Sequence, residues 1–159
     1  MTTSTTPDGL ALHDAALTDL PVPRVYELLA LRVDVFVVEQ ACAYPELDGR
    51  DLEDGARHVF LVEPDGDRVV AALRRLDDRV DDHPVTRVGR VVTHADHRGA
   101  GLAGWLLDHV VAGEQRAIVL DAQEHLVDFY ARSGFRVTGP GWLEDGIPHV
   151  PMRRDPEDA

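Results

Sequence analysis

His97-Arg98-Gly99-Ala100-Gly101-Leu102-Ala103-Gly104 is the stretch that decides the fold. It follows an apolar, strand-like segment, Thr86 to Thr93. It opens a run in which Leu102, Leu106, Leu107, Val110 and Val111 recur at helical spacing from Gly101 to about Glu114. With no side chains at Gly99 and Gly101, backbone N–H groups can converge at the positive end of the following helix, the physics by which helix starts bind phosphate. Arg98 would add charged donors. Taken literally, Gly99-Ala100-Gly101-Leu102-Ala103-Gly104 also satisfies the GxGxxG pattern of dinucleotide folds, and Asp121 falls near the position of their ribose-binding acid. Three features oppose that reading. Six residues, Thr93 to Arg98, separate Val92 from Gly99; too few residues follow Gly104 for the remaining parallel strands; and the upstream sequence reads as an antiparallel hairpin. A purely structural glycine turn is the third reading.

Upstream, His58 to Glu63 and Arg68 to Leu76 read as two strands joined by Pro64-Asp65-Gly66-Asp67, where proline presets φ and glycine frees it. Leu10 to Ala15 alternates as a first strand. Pro21 and Pro23 sit in the first turn of a helix running to Val33, and Phe36 to Asp54 predicts a brief helix leading into a long loop. Downstream, the uninterrupted apolar run Ala117 to Ala122 reads as a buried strand, and His125 to Ser133 as a short helix stopped by Gly134. Phe135 to Thr138 starts a last strand pair, while Trp142–Leu143 and Ile147–Met152 flank a hairpin turn at Glu144-Asp145-Gly146. The result is a mixed α/β sheet with a right-handed crossover between the strands at 86–93 and 117–122.

A chain of 159 residues fits one domain, read here as 10–153 with short flexible tails at 1–9 and 154–159. Sixteen basic against 29 acidic residues, net −13, repel phosphate backbones and anionic membrane surfaces, so neither nucleic acid nor membrane is an expected partner. All 16 basic residues are Arg; without lysine, Schiff-base and P-loop nucleotide chemistry are excluded. No apolar run reaches the roughly 18–20 residues of a membrane span, and the opening MTTSTTPDG lacks the basic start and apolar segment of a secretory signal. Together with a lone Cys42, this predicts a cytoplasmic protein. His94 and His97 have a His-x-x-His spacing that no carboxylate or cysteine completes, so no metal is expected.

The glycine stretch fits a second pattern better: Arg98-x-x-Gly101-x-Ala103, preceded by a strand and opening an amphipathic helix. This resembles motif A of the GNAT superfamily of acyl-CoA-dependent N-acetyltransferases. After the buried strand at Ala117 to Ala122, Phe129-Tyr130-Ala131-Arg132-Ser133-Gly134-Phe135 looks like motif B. Leu31-Arg32-Val33-Asp34-Val35-Phe36-Val37-Val38-Glu39-Gln40, Pro45-Glu46-Leu47-Asp48 and Glu144-Asp145-Gly146-Ile147-Pro148-His149 further resemble the ElaA-like subgroup. The resemblance spans about Arg24 to Arg153. One departure is His94, where these loops often carry proline.

The resemblance implies an α+β GNAT fold: a mixed, mostly antiparallel sheet of about six to seven strands, helices on both faces, and a splayed parallel strand pair at the coenzyme A site. Amides of Arg98, Gly99, Ala100, Gly101, Leu102 and Ala103 would hold the pyrophosphate of acetyl-CoA. Val91 and Val92 would offer backbone hydrogen bonds to the pantetheine arm and thioester, and Gln123 would reach the cofactor from the splayed edge. Tyr130 would return a proton to the leaving thiolate, a task suited to a phenol with a reference pKa near 10. The base stays open among Glu39, Glu124, His94 and His149. Glu39, in the segment covering the acceptor side in this family, and His149, on the final strand facing it, are preferred. The implied reaction is direct transfer of an acetyl group to a primary amine, carried by a small molecule or a protein. The alternative is a catalytically silent acyl-CoA-binding regulatory module. The surplus of acids favours a cationic acceptor, and a homodimer is compatible with the resemblance.

Overall fold

The computed structural model describes residues 6–66 and 68–157. Residues 1–5, 158–159 and Asp67, the last residue of the expected turn, lie outside the described residues. The strands are β1 (Ala11–Ala15), β2 (Arg57–Val62), β3 (Val69–Val80), β4 (His83–Thr93), β5 (Ile118–Gln123), β6 (Arg136–Val137), β7 (Trp142–Glu144) and β8 (Ile147–Arg154). The helices are α1 (Val22–Val33), α2 (Leu102–Gly113) and α3 (Val127–Ala131). All eight strands join one sheet in the order β1-β2-β3-β4-β5-β8-β6, with β7 also paired to β8. The expected six to seven strands become eight because β6 and β7 are separate short segments lying along the same edge of β8.

Strand periodicity puts apolar side chains on both faces. On β2, Val59 and Leu61 join a core completed by Leu106, Leu107 and Val110 of α2, with Tyr130 and Phe135 beside them. Phe60 and Val62 join the opposite core, under Leu28 and Leu31 of α1. Truncating a fully buried leucine in such a layer costs about 2–5 kcal/mol, so the sheet is clamped from both sides.

Two features of β4 shape the site. The parallel pairing of β4 with β5 covers only Thr86 opposite Ile118 and Arg87 opposite Val119, and beyond that rung the strands part. The vertex is pinned where Thr86 Oγ1 donates to Glu114 Oε2 at 2.5 Å and Thr86 N–H to the Ala117 carbonyl at 2.9 Å. Burial would raise the Glu114 carboxyl, but the bonds from Thr86 and from the Arg116 N–H and guanidinium outweigh it and hold its pKa at about 2. On the other edge, the β3–β4 register runs from Ala72 opposite Val92 to Arg74 opposite Gly89, so Leu73 faces both Arg90 and Val91. This is a β-bulge, and Arg90 takes a left-handed φ of 53° within it.

Some boundaries differ from the sequence reading. β3 continues past Leu76 to Val80, and β4 starts at His83 rather than Thr86. Asp81 and Asp82, with φ of 48° and 64°, supply the two left-handed residues that a two-residue hairpin turn needs. The run of aspartates thus hides strand: Asp78 accepts from Arg87 across the pair at 2.6 Å. The brief helix at Phe36 is a wide π turn, Asp34–Glu39, that continues α1, with Cys42 N–H donating to the Val37 carbonyl at 3.1 Å. Arg154, assigned to the tail, lies in β8 opposite Ile118.

Candidate functional site

Where β4 and β5 part, they leave a cleft of about 710 Å³. One wall is β4 from Val88 to Thr93; the other is Leu120, Asp121 and Gln123 of β5 with Tyr130 of α3 behind them. The π turn and the following loop roof it with Val35, Phe36, Glu39, Gln40 and Tyr44, and the β7–β8 hairpin closes the end with Glu144, Asp145, Ile147 and His149.

Arg98 lines the rim of this cleft, and the glycine loop continues outward from it. Gly99 and Gly101 have φ of 85° and 75°, conformations that glycine adopts without strain, and Gly101 stands at the N-cap of α2. The first bond of α2 runs from Trp105 N–H to the Gly101 carbonyl at 3.0 Å. Among the described residues, the N–H groups from Gly99 to Gly104 find no backbone acceptor. Unpaired N–H groups at a helix start, at its positive end, are the kind of donors that hold phosphate in other proteins.

Tyr130 is buried, its ring edge-on to Phe129 and Phe135 with centroids 5.0 and 6.2 Å away, yet it lines the cleft. Burial pushes its pKa up to about 12, so the phenol keeps its proton. His149 lies on β8 directly opposite Gln123 on β5 and Trp142 on β7. Its Nδ1 stands 2.7 Å from the Ile147 carbonyl, which only accepts, so in the neutral ring Nδ1 carries the proton and Nε2 the lone pair. Glu144 Oε2 lies 3.8 Å from Nε2, and Trp142 stacks on the ring.

Glu39 is engaged otherwise. Its two carboxylate oxygens accept from Nη1 and Nη2 of Arg98 at 2.5 Å each, and this pairing lowers its pKa. Glu124 lies exposed at the start of a 3₁₀ turn and does not line the cleft. His94 caps the turn at Ala95–His97 through Nδ1, which accepts from Asp96 N–H at 3.1 Å, while its own N–H donates to the Val70 carbonyl at 2.8 Å. Its φ of −55° would suit proline, but proline could not make that second bond. Val91 belongs to the bulge, and Val92 packs its side chain into the α1 core. Gln123 reaches across the cleft mouth to Gln40 at 3.3 Å.

Sequence reasoning missed a buried charge network beneath the roof. Arg32, 1 % exposed, bonds Glu46 at 2.7 Å and Asp51 at 2.7 Å. Asp51 also meets His58 and Arg74, at 3.0 and 3.2 Å. Burial alone would raise the Asp51 carboxyl, but bonds from His58 and Arg32 hold it far below the usual range. Arg90 ends the chain, 2.8 Å from Glu46 and 3.2 Å from Asp48, with its guanidinium over the Tyr44 ring. The network ties α1, the 46–51 loop, β2, β3 and the bulge together, and Tyr44 and Arg90 are its cleft-facing ends. No spacing in the sequence marks it, because its members meet only across the sheet.

A model of the acetyltransferase (GNAT) domain matches residues 30–156. The chain belongs to the GNAT acetyltransferase family. Within that family, a UPF0039 protein of Mycobacterium tuberculosis is 47% identical over 146 residues, covering 91% of this chain and 92% of that protein. The crystal structure of an acyl-CoA N-acyltransferase from Pseudomonas aeruginosa superposes with a TM-score of 0.82 at 37% identity, over 91% of this chain and 99% of that one. Escherichia coli ElaA superposes with a TM-score of 0.81 at 34% identity, over 92% and 99%. The GNAT fold and the likeness to ElaA read from the motifs therefore both hold.

Proposed function

We propose that this GNAT protein transfers the acetyl group of acetyl-CoA directly to a primary amine, in the cytoplasm. The observation that carries the reading is the conjunction of three features at one cleft: strands parting after Arg87 and Val119, free amides of the glycine loop continuing from its rim at Arg98, and a protonated Tyr130 in its wall. The amides from Arg98 to Ala103 take the diphosphate. The backbone of Val91 on the β5 side, left unpaired by the splay, bonds the pantetheine arm, with Gln123 at the opposite edge, while the main chain of Val92 is turned to Ala72 of β3. No helix among the described residues is long and apolar enough to cross a membrane.

We assign the base to His149 rather than Glu39, because the lone pair on Nε2 of the neutral His149 ring lies in the cleft beside the β7–β8 hairpin, whereas Glu39 stands at the rim next to Arg98, on the donor side. His149 takes the proton an arriving ammonium must lose, and the neutral amine attacks the thioester carbonyl. As the C–S bond breaks, Tyr130 protonates the sulfur and the second nitrogen proton restores the phenol, so that net one proton moves from nitrogen to sulfur. Glu144 and Asp145, beside His149, favour a cationic acceptor. The test is release of free coenzyme A from acetyl-CoA across amine classes. Turnover with at least one amine supports the reading, and acetyl-CoA binding without turnover by any would make the protein a silent binding module.

A further inference from the structure

Glu39 and Gln40 straddle the mouth of the cleft. Glu39 is held to the glycine-loop side by Arg98, and Gln40 to β5 by Gln123 at 3.3 Å. Both residues come at the end of the π turn, a wide helical turn of the kind often found at functional positions. The outer edge of the Arg98 fork is fully used, with Nη1 and Nη2 on the two Glu39 oxygens, and Nε is directed at the Thr93 carbonyl at 3.4 Å. One guanidinium edge serves one bidentate anion at a time. Among the described residues the amides that follow Arg98 in the chain have no backbone acceptor, and Arg98 stands at the head of that row, at the rim of the cleft.

We propose that Glu39 is a latch on the donor site: in the empty protein its carboxylate takes the two Arg98 donors that the diphosphate of acyl-CoA takes on binding. This rests on the functional reading above. The pair is built to open, since both side chains are nearly half exposed, at 43% and 47%, where ion pairs are weak and screened. The arriving phosphates carry more charge than one carboxylate and bring further bonds from the loop amides. Exchange of partners releases the 34–40 segment from the donor side, so donor binding loosens the roof over the acceptor chamber. The expected kinetic order is acyl-CoA first and amine second.

Calorimetric titration of the wild type, Glu39→Gln, Arg98→Gln and the double variant, with acetyl-CoA and with pantetheine, tests the latch. Glu39→Gln should bind acetyl-CoA about two- to fivefold more tightly, the range set by loss of one exposed competing pair. It should bind pantetheine, which lacks the diphosphate, as the wild type does. In the Arg98→Gln background the gain should vanish. Unchanged or weaker acetyl-CoA binding by Glu39→Gln overturns the latch, and so does equal tightening of pantetheine or an equal gain without Arg98. A wild type that fails to bind acetyl-CoA at sub-millimolar concentration overturns the functional reading itself, which separates the two failures.

Discussion

Replacing Tyr130 by phenylalanine removes one oxygen from a buried ring and leaves its aromatic contacts in place. Among the described residues the hydroxyl has no hydrogen-bond partner, so the substitution breaks no bond in the resting protein, and its cost to stability near neutral pH is within about 0.5 kcal/mol. Its effect on rate has two opposing parts. Burial raises the phenol from 10.0 to about 12, which disfavours the phenolate by roughly 3 kcal/mol at 1.36 kcal/mol per unit. An ordinary thiol titrates near 8.5, so proton transfer from this phenol to a thiolate of that basicity would run uphill by about 3.5 units. Yet the sulfur departs in the same apolar slot, where desolvation raises its basicity as well and narrows the gap. General acid catalysis contributes about 10²- to 10⁴-fold, and the residual mismatch puts the expected loss in kcat near the lower end, about 10²-fold. The assay is release of coenzyme A by stopped time course, with acetyl-CoA affinity measured separately by calorimetry. A kcat within threefold of wild type would refute the role. A loss of affinity as large as the loss of rate would show that the hydroxyl binds rather than donates.

The same burial has a signature in stability. A phenol whose folded pKa lies above its unfolded value contributes stability that is complete below pH 10 and is lost as pH rises towards 12, so Tyr130→Phe should flatten the alkaline fall in thermal midpoint. Glu114 has the opposite sign: its pKa near 2 makes its contribution complete above the usual 4.5 and lost as pH falls towards 2. Glu114→Gln should therefore lower stability at neutral pH and flatten the acid fall between about pH 4.5 and 2, as followed by circular dichroism. Arg32→Ala leaves Glu46 with Arg90 and Asp51 with His58 and Arg74 but removes the guanidinium that joins them, and should cost about 1.5–3 kcal/mol in urea unfolding. A loss under 1 kcal/mol would mean that water enters and solvates the pair. Gly101→Ala has open space for its Cβ, but at φ 75° it should cost about 1–2 kcal/mol and weaken acetyl-CoA binding with it.

Legibility in the sequence followed the range of the physics involved. The glycine loop, α2 and the Phe129–Phe135 segment are local: strand, small residues and helical periodicity are adjacent in the chain, and each stands where its pattern predicts. Tyr130 and His149 could be nominated, but only pairing across the sheet brings His149 opposite Gln123 and into the cleft with the phenol. Glu39 illustrates the limit. Its place in the covering segment was readable, whereas its partner lies 59 residues away and turns a candidate base into one half of an ion pair. The bulge at Arg90 leaves no trace in residue type, because an arginine with φ 53° is tolerated only where Glu46 and Asp48 hold its guanidinium.

These observations converge on one strand. β4 is disturbed on both edges within a few residues: bulged against β3 at Arg90 and Val91, and unpaired from β5 beyond Arg87. A zipped parallel pair would satisfy those backbone donors and acceptors internally and would be the more stable arrangement for an empty sheet. The Thr86–Glu114 bond anchors the closed end of the pair at its first rung, and the Arg32–Arg90 network fixes the bulge from below the roof. Stability that could have gone into two or three further rungs is left as unsatisfied main chain facing a slot. An extended ligand with amides along its length can replace β5 there. On the proposed function, that ligand is the pantetheine arm of the donor. Variants that free the vertex, such as Thr86→Val, should lower acyl-CoA affinity more than they lower the thermal midpoint.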